Sequence, residues 1–338
     1  MSGMPFEDQE KIKDGKLAID DSSEKERLFD EWLSESSEQA SLLLNEKHKE
    51  IISLVDGALA EFRRENGLSV PAPQIYYLTE EQWDKLAEFG EEPLEKMRRL
   101  TGLFDWWENR IFVKLTKEHG ENRDLINFVG TNIHERLHQL AYKAVQFNQD
   151  ESVFSMPRAG LEVKNLKTKK RYFSEFDEAV ISYFAGKLTE NVVNGQKDLF
   201  GKDLDRVRCY RDLSSGDLAR PNFRLNEHDY AYGSMVTVVR RLMGSLAEAR
   251  GGGPEAIKKV EKIFINAEFK GNLLDLGKEV AKLYGKGGLR VLAHLNEKNI
   301  KDILNFVDVG GKKITQNHYA EKILPPEEFE RYLRMEKQ

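Results

Sequence analysis

A chain of 338 residues, 40% hydrophobic and 33% charged, has enough material for more than one compact core. Its formal net charge of -6 argues against nucleic acid or an anionic membrane as the main partner, and its one cysteine, Cys209, excludes an internal disulfide. No apolar run approaches the roughly 18 residues a bilayer span requires, and the polar N-terminus lacks the apolar stretch of a secretory signal, so a cytoplasmic location is expected.

In chain order, residues 1–22 are polar and are expected to be a disordered tail. From 23 to 68 the apolar residues Leu28, Trp32, Ile51, Val55, Leu59 and Phe62 recur at helical intervals, with Ser34–Ser37 as a candidate break and Gly67 as a stop. A catalytic α+β domain is expected over 69–200. Its strands are Gln74–Leu78 and Arg110–Leu115, the second read as an edge strand. Between them come a short helix capped by Thr79 and a helical piece from Pro93 to Leu100 closed by Gly102. A long amphipathic helix follows from Arg123 to about Val145, its stripe made of Leu125, Val129, Ile133, Leu137, Leu140, Ala141 and Ala144. Strands Gly160–Val163 and Arg171–Phe173 flank a basic turn, Lys164–Lys170, which reads as a solvated hairpin tip. Ser174 then caps another helix, and 201–338 is expected to be a helical subdomain punctuated by glycines.

The chemistry is concentrated in His134-Glu135-Arg136-Leu137-His138. Two imidazoles four residues apart project from one face of a helix and can reach one metal ion, and the glutamate between them can meet a water on that ion. A catalytic zinc takes three protein ligands and keeps an open position. The third ligand is expected from the capped helix downstream, where Glu178 is the leading candidate and Glu175 and Asp177 are the alternatives. The remaining histidines, His48, His119, His294 and His318, are isolated and read as surface or packing residues.

A strand, an H-E-x-x-H helix and a later helix opening Asp177-Glu178-Ala179 together resemble the gluzincin zinc metallopeptidases, the group of thermolysin-like proteases and leukotriene A4 hydrolase-related aminopeptidases. The likeness covers roughly residues 100–245. It implies a zincin-like α+β fold, one Zn2+ held by His134, His138 and Glu178, and a peptide or protein substrate. It also implies that Glu135 activates the attacking water and later protonates the leaving amine. Tyr230-Ala231-Tyr232-Gly233 is similar to the Tyr-x-x-Gly of the aminopeptidases, which implies oxyanion stabilisation by Tyr230, with His228 and Tyr232 as substitutes. Glu108-Asn109 matches the end of their amino-terminus recognition sequence, although a turn leading into the strand is the simpler role. One departure matters. Many members carry an acid four residues beyond the ligand glutamate, and here that position is Ser182. This keeps a second expectation open: a zincin-fold binding or regulatory module that holds metal without turnover.

Overall fold

The computed structural model describes residues 18–89, 94–115, 125–148, 153–200, 233–310 and 313–336, which make a mixed α+β, mainly helical protein with two small sheets. Helix α1 (Ala18–Ser41) begins inside the stretch expected to be disordered and runs unbroken through Ser34–Ser37. The serines do not break it because Leu33, Ser36 and Ala40 continue one buried face at helical spacing. The break comes at 42–45, where Leu42 and Leu43 are exposed. There Asn45 caps α2 (Glu46–Asn66): its side chain accepts from the His48 N–H at 3.0 Å, and the His48 ring accepts from the Asn45 N–H. Gly67, left-handed at φ 61°, ends α2.

Strand β1 (Gln74–Thr79) leads directly into α3 (Glu80–Phe89), where Thr79 and Gln82 form the reciprocal cap expected of Thr79. Helix α4 (Leu94–Arg99) is followed by β2 (Gly102–Asp105) and β3 (Arg110–Leu115). The sheet order is β1-β3-β2, with β1 parallel and β2 antiparallel to β3. Arg110–Leu115 is therefore the central strand, not the edge. The antiparallel edge is β2, and Gly102 opens it rather than closing the preceding helix. The burial of Ile111, Phe112, Val113 and Leu115 explains the placement, since a strand apolar on both faces belongs inside a sheet. Trp83, Leu86, Met97, Leu78 and Phe112 form a core with Leu33 of α1, and the Trp83 indole N–H donates to the Met97 carbonyl.

Helix α5 (Leu125–Leu140) carries the motif. The sequence pattern extends this helix to Val145, but Lys143–Asn148 instead form β4. The helix stops because the next backbone groups are engaged elsewhere: the Tyr142 N–H donates to the Glu268 carbonyl, and the Gly160 N–H donates to the Tyr142 carbonyl. Strands β5 (Val153–Ala159), β6 (Glu162–Lys164) and β7 (Arg171–Tyr172) complete an antiparallel sheet in the order β4-β5-β6-β7. β6 and β7 form the expected hairpin, and Lys167, Lys169, Lys170 and Arg171 at its tip are exposed. Helix α6 (Ser174–Gly195) and the short α7 (Lys197–Phe200) follow.

The last third of the described chain is helical: α8 (Gly233–Glu248), α9 (Gly253–Lys270), α10 (Leu273–Tyr284), α11 (Gly288–Leu292), α12 (Ile300–Asp308), α13 (Lys313–Ile323) and α14 (Pro326–Glu336). Among the described residues no helix is long and apolar enough to cross a membrane. The described residues group into two compact units. One holds those up to Gln139 together with Leu188–Phe200, and the other holds Leu140–Lys187 with the described residues from Gly233 onward.

Candidate metal centre

The composition of α5 fixes its rotation. Leu125, Val129, Ile133 and Leu137 are buried, so the side chains between them are turned toward specific neighbours. The buried Arg136 pairs with Asp56 of α2. The Gln139 side chain donates to the Pro71 carbonyl at 2.7 Å. Asn132 donates to the Phe128 carbonyl and accepts from the Tyr77 hydroxyl at 3.0 Å, and burial pushes that hydroxyl up to about 12 against the pull of Arg136. These contacts hold α5 so that His134 and His138 present neighbouring rings, 4.7 Å apart between centroids and inclined at 74°.

Their Nε2 atoms lie 3.1 Å apart. Two nitrogens at about 2.05 Å from one tetrahedral ion would stand about 3.3 Å apart, so the pair has the spacing of shared ligation. Ligand atoms of His134, His138 and Glu178 all lie within 4.8 Å of one another, and each of the three residues is partly exposed. Two imidazoles and one carboxylate form a donor set that could hold a divalent metal ion. Of the acids at the head of α6, Asp177 is committed elsewhere: its Oδ1 accepts from the backbone N–H groups of Leu161 and Glu162. Ser182, one turn after Glu178, is buried, and its hydroxyl has no hydrogen-bond partner among the described residues.

Glu135, between the two histidines, is 8% exposed. It packs against the start of β2: a Cβ placed on Gly102 would stand 2.6 Å from both its Cγ and its Oε1. The edge strand absent from the sequence reading is therefore the one that touches the motif glutamate. Its signal was present in Gly102-Leu103-Phe104-Asp105, an apolar run bounded by turn residues, but four residues are too few to give a period. Glu108-Asn109 lies in the β2–β3 turn. Asp105 accepts from the Trp107 N–H at 3.0 Å, Asn109 is left-handed at φ 53°, and Glu108 faces Arg110. Tyr230, Tyr232 and His228 lie outside the described residues, as do His119 and Cys209. Of the other isolated histidines, His48 caps α2, His294 pairs with Glu328 at 2.7 Å, and His318 packs on Tyr319.

No protein family, curated protein or solved structure matches the chain. The functional reading therefore rests on the residues and their geometry alone.

Proposed function

We propose that this protein is a zinc-dependent peptidase of the gluzincin type on a zincin-like fold, with His134, His138 and Glu178 as metal ligands and Glu135 as the base. The observation that carries the proposal is the gathering of two imidazoles and a carboxylate, far apart in sequence, around one small volume, with an acid between the two histidines that metal binding does not require. When bound, zinc would polarise the scissile carbonyl and make water a nucleophile near neutral pH. Glu135 takes the proton from the attacking water and returns it to the departing nitrogen. The outer rim of β2 is the sheet edge nearest that carboxylate, so an extended peptide would pair with β2 rather than with the enclosed β3.

One observation favours a second reading. The unpartnered Ser182 hydroxyl stands where gluzincins place the acid that supports a ligand histidine, which suits a module that holds metal without turnover. A single experiment separates the two. Wild type and Glu135→Gln are loaded with zinc, metal content is measured, and both are assayed against a mixed peptide library. The peptidase reading expects about one zinc per chain in both forms and at least about a 1,000-fold loss of turnover in the variant. Zinc in both forms with cleavage in neither would establish the silent module.

A further inference from the structure

We propose that Gly102 is a positioning residue for the reaction: its bare backbone sets where the Glu135 carboxylate stands. This inference rests on the reading of Glu135 as the base. The Gly102 backbone is fixed from two sides. On one side it pairs with Val113 of β3, and the Lys114 N–H donates to the Thr101 carbonyl at 2.9 Å. On the other, the Thr101 and Thr131 hydroxyls lie 3.1 Å apart, which ties the start of β2 to α5. Thr131 and Glu135 are one helical turn apart and share the face that meets this backbone.

A Cβ on Gly102 would stand 2.6 Å from Glu135 Cγ and Oε1 and 2.8 Å from Thr131 Cγ2. All three distances fall far inside the carbon contact distance of about 3.5–4.0 Å. Gly102 is not in the left-handed region, so the backbone conformation does not demand glycine here; only the neighbouring side chains do. The crowding reaches Glu135 Cγ as well as the carboxylate tip. Relief therefore requires a different rotamer near the root of the side chain, and that carries the carboxylate away from its present place. A base must lie within hydrogen-bond reach of the proton it takes, and a misplacement of about 1 Å can cost about 100-fold. The metal ligands are separate side chains, so binding of the ion and action of the base become separable at Gly102.

The test is Gly102→Ala, alone and combined with Glu135→Ala. The single variant is expected to keep its zinc stoichiometry and lose about 100-fold in kcat with little change in KM. In the metal-free chain it is expected to lower Tm by about 5 °C when Glu135 is present and by less than about 2 °C when residue 135 is alanine, because the two closest of the three crowded atoms are gone. A Thr131→Ser background, which removes the other crowded carbon, is expected to leave most of the kcat loss in place. Equal Tm losses in the two residue-135 backgrounds, or an unchanged kcat in the zinc-loaded single variant, would overturn the proposal. Its failure is distinct from failure of the peptidase reading, which would show as zinc binding without cleavage in the wild-type chain.

Discussion

Two glycines in this protein let a backbone strand settle onto a buried acid, and the two contacts differ in what surrounds them. At Gly102 the acid is Glu135, slightly exposed and placed between two metal-ligand candidates. At Gly160, left-handed at φ 54°, the acids are Asp177 and Glu268, and a Cβ there would collide with both carboxylates. Glu268 is fully buried, and neither of its oxygens accepts a hydrogen bond from the described residues. Burial first, and then the neighbouring Asp177, push its carboxyl well above the usual range. Arg158 does not neutralise the pair by a direct hydrogen bond. It donates to the carbonyls of Gly160, Gly271 and Ala267 and lies over the Tyr142 ring. Glu135 stands at one contact as a single acid 8% exposed, whereas the other contact sets Asp177, 7% exposed, beside the fully buried Glu268. The chemistry at each follows from exposure and from where the nearby donors are spent.

The sharpest way to break this contrast is Gly160→Ala. It meets both a left-handed backbone and two carboxylates, so a loss of about 3 kcal/mol or more is expected in denaturant unfolding, well beyond that of Gly102→Ala. Comparable losses at the two glycines would mean that the contacts do not differ in kind. Glu268→Gln refines the point. A carboxyl whose folded pKa is raised lends full stability below its unfolded value near 4.5, and loses that stability as pH climbs toward the folded value. The amide does not titrate, so the variant is expected to match wild type near pH 4 and exceed it by on the order of 1 kcal/mol at pH 7. A variant less stable than wild type at pH 7 would mean that Glu268 is ionised.

A third acid marks the opposite extreme. Glu328 of α14 is also mostly buried, but Lys170 at 2.8 Å and His294 at 2.7 Å outweigh the effect of burial and hold its carboxyl down to about 2. Its stability contribution is therefore present above about pH 4.5 and lost as pH falls toward 2. Glu328→Gln is expected to cost about 1 kcal/mol at pH 7, discounted because the ion pairs are partly solvated, with little difference from wild type near pH 2. An equal cost at both pH values would point to packing rather than charge.

The grouping of His134 and His138 with Glu178 was legible because helical spacing and the start of an amphipathic helix are local signals, and the geometry gathers Glu178 with the two rings while Asp177 accepts from the Leu161 and Glu162 N–H groups. The rank of the strands was not legible. Arg110–Leu115 alternates well enough to read as an edge, and only the burial of both its faces reveals it as central. The end of α5 was missed for a related reason: Ala141 and Ala144 continue a helical stripe, while backbone bonds of Tyr142 to Gly160 and to the distant Glu268 set the actual stop. Long-range hydrogen bonding of this sort leaves no trace in local periodicity. The packing of Gly102 on Glu135 was equally hidden, because a glycine after a short helix looks like a terminator from sequence alone.

The brevity of β2 carries a consequence of its own. A rim of four residues can register only a short, fully unrolled stretch of polypeptide, and it offers nothing to a helix or a compact loop. On the proposed peptidase reading, a folded client would reach such a rim only during local opening. Its cleavage rate would then follow how often that segment frays, more than which side chains it carries.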